Sequence, residues 1–415
     1  MKDSKVSGRK NLSMAIPGTT KSGTSDILFT LAMACGPIAG IGFGRFAYAL
    51  LLPSMRDSLH WSLSVSGLIG SVNAIGYLVG AILAASIAKR FGTGITFRVA
   101  LLLVAISNLS TAFSPNLVAI ASARFFSGAL GAICYIAGAG FVMQKFRTRG
   151  RIALAANLGI YVGGVGLGII VSGLAISAVL SMAPRDSAWQ DGWVLLGILS
   201  FLCVAVSWRT SKQISKDHDT SQRATRLPSR TLLVLYVSYG LFGVGYITYM
   251  TFIVVYLKNL GSSEATITLF WSVLGVGAIL GTFFWSRLVG RSHPGRTLAL
   301  INATVALGAV IPLLYQNLAT ALISALLFGG SFLSVVSGVA EVGRRKLDSA
   351  HWTQAMGALT VLFAIGQIIG PILGGFISSG KGGLSVGLGV SAAILFLGAL
   401  IALVEREPAV PHCGT

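Results

Sequence analysis

Apolar residues fill this chain in long runs rather than in alternation, and the runs recur at close intervals from residue 27 onward. A run of about 17–27 apolar residues matches a helix crossing a bilayer, at 1.5 Å per residue through roughly 30 Å of hydrocarbon. Read this way, the pattern predicts helices at 27–52, 63–88, 95–113, 117–143, 152–180 and 192–208, then at 231–257, 265–289, 297–315, 319–342, 352–378 and 384–404. The longest polar stretch, 209–230, carries Arg209, Lys212, Lys216, Asp217, Asp219, Arg223 and Arg226. It divides an N-terminal six-helix bundle, 27–208, from a C-terminal one, 231–404, with polar tails at 1–26 and 405–415. The expected fold is therefore an all-α polytopic membrane protein.

Composition agrees. Hydrophobic residues make up 54% of the chain and charged ones 10%, against about 25% charged in a soluble domain. The net charge of +19 would suggest nucleic acid on a soluble basic face, but the charge falls in short loops between apolar runs. Of the 31 Lys and Arg, 25 lie in the tails and in alternate loops. The opposite loops hold only Arg56, Arg185, Lys258 and Lys381. That bias puts both termini in the cytoplasm and excludes a nucleic-acid partner. The first 26 residues lack the layout of a cleavable signal, so the first run is read as a retained helix. Trp61, Trp189, Trp193, Trp208 and Trp352 fall at run ends, where indole rings favour the headgroup level.

The two bundles repeat one another. Gly42-Phe43-Gly44-Arg45 through Tyr48 aligns with Gly243-Val244-Gly245-Tyr246 through Tyr249. Gly80 to Leu83 recurs as Gly277 to Leu280; Asn116 and Gly128 fall on Asn317 and Gly329; Gly164, Gly168 and Gly173 fall on Gly366, Gly370 and Gly375. The order is kept throughout, at a spacing of about 200 residues, as expected of parallel six-helix repeats around a midplane site.

These residues resemble the major facilitator superfamily. Arg124-Phe-Phe-Ser-Gly128-Ala-Leu-Gly131 is similar to the RxxxGxxG motif of its fourth helix. Gly159 to Gly173 resembles the glycine-rich antiporter motif without its proline, and Gly366 to Gly375 its counterpart in the eleventh helix. After the second run, Ala85, Lys89, Arg90 and Gly92 occupy the positions of the gating-loop motif GxxxD[RK]xG, with Ala for its first glycine and Lys for its aspartate. The string from Gly42 through Arg45, Phe46, Ala47 and Tyr48 to Pro53 is similar to the GRFAY…LLP pattern of the YbfB/YjiJ-like branch. The resemblance implies a bacterial inner-membrane secondary transporter whose first and fourth helices line a central cavity.

Candidate chemistry follows from what is polar inside the runs. Arg45 and Arg124 are the two cations there. An arginine at mid-membrane costs roughly 2.5–3.5 kcal/mol on insertion scales and usually faces a wet cavity or a partner. Counted along their antiparallel helices, both stand roughly 8–9 Å off the midplane, which suits an anion held by two guanidiniums. The bland alternatives are that Arg124 bonds backbone carbonyls and Arg45 braces a helix end. Tyr48, Asn73, Tyr77, Tyr135, Asn157, Tyr161, Tyr246, Tyr249, Trp271 and Gln367 complete the polar and aromatic set, as cavity lining or as helix-to-helix bonds. All twelve acidic residues lie in tails, loops or run ends. Glu341 is the one candidate proton relay, with pairing to Arg344 or Arg345 as its plain alternative, and Lys89 and Arg90 are candidate gating residues.

Cys35, Cys134, Cys203 and Cys413 show no metal spacing. The chain has no GxxxxGK[ST] phosphate loop and no HExxH. No metal, cofactor or enzymatic activity is expected. The sequence thus predicts a monomeric, alternating-access secondary transporter in membrane lipid, with a small organic anion as substrate. A proton-coupled efflux carrier for neutral or mixed substrates, and a channel or sensor, are the alternatives.

Overall fold

The computed structural model describes residues 20–182, 187–212, 232–289, 293–347 and 349–405. Most of the predicted N-terminal tail, interbundle linker and C-terminal tail lies outside the described residues. Helices make up the regular structure of what is described, and twelve are long and apolar enough to cross a membrane. They are α1 (Ser25–Ser58), α2 (Leu63–Phe91), α3 (Thr93–Ser110), α4 (Leu117–Phe146), α5 (Ile152–Met182), α6 (Ala188–Trp208), α7 (Leu233–Asn259), α8 (Glu264–Val289), α9 (Pro294–Leu314), α10 (Leu318–Lys346), α11 (Ala355–Ser378) and α12 (Gly383–Leu403).

The hydropathy reading finds every one, and misjudges α1 most at its end. There Pro53, Arg56 and Asp57 break the apolar run, yet Leu50, Leu51, Leu52 and Met55 remain buried. Tertiary packing carries the helix past its polar residues. Some helix starts are set by short polar side chains. Ser62 accepts from the Val65 amide ahead of α2, and Asn116 from the Val118 and Ala119 amides at α4. Asn317 caps α10 by a reciprocal pair with Thr320. Asn116 and Asn317 are repeat equivalents, so the duplication reaches down to the caps.

Helix pairing repeats as well. In the first bundle α2 packs on α4, α3 on α6 and α1 on α5; in the second α8 packs on α10, α9 on α12 and α7 on α11. Between the bundles α2 meets α11 and α5 meets α8, which the same twofold relation exchanges. These seams are dense on the side opposite the chain termini. A methyl group on Gly67 would overlap the Pro371 carbonyl oxygen, and one on Gly375 that of Leu63. Ser71 Oγ donates to the Ile368 carbonyl at 2.6 Å, and the Ser64 and Ser379 hydroxyls lie 3.2 Å apart. On the other seam Gly173 lies against the Trp271 ring, and Ser177 bonds both Thr268 and the Glu264 carbonyl.

Two of the tryptophans read as interface anchors are interior instead. Trp189 and Trp193 are fully buried, with Trp189 Nε1 donating to Ser58 Oγ at 3.2 Å and Trp193 Nε1 lying 3.5 Å from Met55 Sδ. The extended end of α1 covers them. The Trp352 side chain lies outside the described residues.

Candidate functional site

On the termini side of the closed seams lies a cavity of about 240 Å³ between the bundles, close to the lower end of ligand pockets at roughly 300–1,000 Å³. One wall is built from α1. After Pro37 this helix winds as a π-helix over Ile38–Phe46 and returns to α-helix at Tyr48. Wide turns of this kind interrupt transmembrane helices at functional positions. Here Gly40 lies against the backbone of Gly131 in α4, and Gly42 against that of Gly168 in α5. Neither position has room for a Cβ, so the segment is pinned on both flanks, and its last turn delivers Arg45 to the cavity.

Arg45 is 8% exposed, its guanidinium lies 5.1 Å from the Tyr77 ring centroid, and its Nη2 has no hydrogen-bond partner. It has no ion pair among the described residues. The facing wall is aromatic. Tyr239, Phe242 and Tyr246 recur at helical spacing along α7, while Phe332 comes from α10 and Phe363 from α11. Their rings lie nearly parallel. Tyr239 and Phe363 are 4.6 Å apart at 5°, Phe242 and Tyr246 4.9 Å at 13°, and Tyr246 and Phe363 5.5 Å at 10°. Tyr135, Met356 and Thr360 close the sides. Gln367 Nε2 donates to the Tyr246 hydroxyl, and Gln367 Oε1 has no partner. A lone cation facing parallel π-faces can hold a flat anion at its edge and stack its ring.

Of the residues singled out in the sequence, Arg45, Tyr77, Tyr135, Tyr246 and Gln367 line this cavity. Arg124 does not. It lies on the helical face of Tyr135, about three turns nearer the closed side, and is only 1% exposed. There it sits within the first bundle between the Tyr48 ring at 5.2 Å and the Trp193 ring at 4.8 Å. Its Nε and Nη1 lack partners, and its own carbonyl accepts from Asn73 Nδ2 at 2.9 Å. The two guanidiniums therefore do not converge on one space.

The others lie outside the lining of this cavity. Tyr48 donates to the Ser66 carbonyl at 2.9 Å and Tyr161 to the Tyr135 carbonyl at 2.6 Å. Asn157 accepts from Thr30 at 2.6 Å. Tyr249 bonds Ser324 and stacks on Phe328 inside the second bundle, and Trp271 fills the α5–α8 seam beside Gly173. Glu341 accepts from Arg344 at 2.8 and 2.9 Å and from Arg345 at 2.7 Å at the end of α10. Lys89 and Arg90 are exposed at the end of α2, with Arg90 over the Phe91 ring at 5.4 Å. Sequence reasoning missed Tyr239, Phe242, Phe332 and Phe363. The i, i+3, i+7 spacing of Tyr239, Phe242 and Tyr246 was the available signal.

Comparison with known proteins gives a consistent picture. Residues 37–403 match the family model described as "Uncharacterised MFS-type transporter YbfB". The chain is 26% identical over 323 residues to the uncharacterized MFS-type transporter YcaD of Escherichia coli O9:H4 (strain HS), covering 77% of this chain and 81% of that one. Among solved structures it superposes on the nucleoside transporter NupG with a TM-score of 0.73 at 13% identity, covering 91% of this chain and all of that one. It also superposes on a bacterial homologue of the human lysosomal transporter Spinster, in an inward-facing and unoccupied conformation. There the TM-score is 0.67 at 14% identity, over 94% of this chain and 98% of the other. At such identities these two likenesses speak for the fold.

Proposed function

The chain belongs to the major facilitator superfamily, in its YbfB-type transporter family, and on that footing we propose that it carries a small organic anion with a flat aromatic part by alternating access. As a multi-pass membrane transporter it moves its solute rather than converting it. The observation that supports the anion is Arg45, a nearly buried cation with an unpartnered nitrogen and no carboxylate paired to it among the described residues. Leaving such a charge unpaired is costly, and a bound carboxylate relieves the cost by a charge-assisted hydrogen bond. The parallel rings of Tyr239, Phe242, Tyr246 and Phe363 across the cavity favour an aromatic body.

With the Lys/Arg-rich side taken as cytoplasm, the cavity belongs to an inward-facing state of a bacterial inner-membrane carrier. Both walls come from one chain, so a monomer suffices. Thermal shift of the purified protein against aromatic carboxylates, aliphatic carboxylates and lipophilic cations tests the reading. Stabilisation by the aromatic acids, lost in Arg45→Ala and partly kept in Arg45→Lys, is expected. Stabilisation by cations alone, or an Arg45→Ala protein that responds like wild type, sinks it. Counterflow in liposomes separates carrier from channel, since only a carrier shows exchange stimulated from the opposite side.

A further inference from the structure

The Gln367 amide holds the clearest unmet demand for a hydrogen-bond donor on the cavity wall. The residue is 1% exposed, its Nε2 is committed to the Tyr246 oxygen, and its Oε1 accepts nothing. A buried acceptor left in that state costs roughly 1–3 kcal/mol, and such groups ordinarily find a partner in protein, water or ligand. The same bond leaves the Tyr246 proton free, because the phenol oxygen is acting as acceptor. Across the cavity, Arg45 Nη2 is a donor without an acceptor.

The two walls therefore ask for different things: an acceptor with negative charge at α1, and a donor at α11. The tyrosine hydroxyls of Tyr77, Tyr135 and Tyr239 do not discriminate, since a phenol turns its proton to give or to take. An amide oxygen only takes. Resting on the anion reading above, we infer that the substrate is an aromatic carboxylate that also carries an O–H or N–H donor, with its carboxylate on Arg45 and its donor on Gln367 Oε1. An aromatic acid without that donor leaves the amide oxygen buried and unpaired, and a second carboxylate sets an anion against it. Rejection of both by the unmet or repelled group is how a polar site selects. Arg45 belongs to the first bundle and Gln367 to the second, so the occupant spans the seam.

The test is equilibrium binding to the full chain in lipid nanodiscs by titration calorimetry. The probes are benzoate, terephthalate, and the ortho, meta and para isomers of hydroxybenzoate and aminobenzoate. At least one hydroxy or amino isomer is expected to bind about tenfold or more tightly than benzoate, with terephthalate weaker than both. Gln367→Met should erase that preference, so that within this variant the hydroxy and amino isomers bind no more tightly than benzoate. If benzoate binds in an Arg45-dependent way but no isomer exceeds it, or if the preference survives Gln367→Met, this inference is wrong and the anion reading stands. If none of these acids binds wild type, or binding ignores Arg45→Ala, the anion reading falls and takes this inference with it.

Discussion

Two arginines within the membrane-spanning helices meet different fates, and the difference is one of surroundings. Arg45 faces a cavity, whereas Arg124 is sandwiched by Tyr48 and Trp193 with no carboxylate partner described. A buried cation that is not answered by a counter-charge can often be replaced by an apolar chain of similar volume at little cost or at a gain. Arg124→Met is therefore expected to melt at or above the wild-type temperature in detergent and to keep aromatic-acid binding. Arg124→Ala, which opens a void, should lose stability on the order of 2–5 kcal/mol. Loss of binding in a well-folded Arg124→Met protein would return Arg124 to the site. The sequence shows that both residues are costly, but not which way they face. Apolar residues surround these helices on every side, so no polar stripe marks the cavity face. For the same reason the sequence does not separate Tyr249 and Trp271, which lie outside this cavity, from Phe242 and Phe363, which line it.

Among helices, close backbone approach decides what moves and what stays. Gly80 on α2 touches the Ala129 carbonyl of α4 inside one bundle, while Gly67 on the same helix touches Pro371 across the seam. An added methyl has no room at either position, yet the outcomes should differ. Gly80→Ala forces overpacking within a bundle and is expected to cost about 1–3 kcal/mol, read as a lower melting temperature. Gly67→Ala wedges apart two surfaces that must separate anyway. It should leave melting nearly unchanged and speed labelling of a cysteine placed at Ser64 by a membrane-impermeant maleimide. Equal melting losses at both sites would argue against separable bundles. The twelve helices and their order were legible because hydropathy and length are local properties. The π-helical stretch of α1 was not, because it depends on Gly131 and Gly168 arriving from other helices.

The duplication read from sequence holds in space. Arg45 and Tyr246 are repeat equivalents, and they line the same cavity from opposite bundles. The repeat thus predicts which positions face each other, while the aromatic character of one wall and the charge of the other reflect divergence between the halves. If transport requires the far side to open, joining Ser64→Cys to Ser379→Cys, whose parent hydroxyls lie 3.2 Å apart, should stop it. Uptake into proteoliposomes is expected to fall to background on oxidation and to recover with a reductant. Undiminished uptake through the cross-linked protein would overturn alternating access. The far-side seam between α2 and α11 is fastened by serine hydroxyls and bare backbone. Among the described residues no ion pair joins α2 to α11 across that door, so changing the salt should alter how tightly cargo is gripped while leaving the unladen hinge at rest.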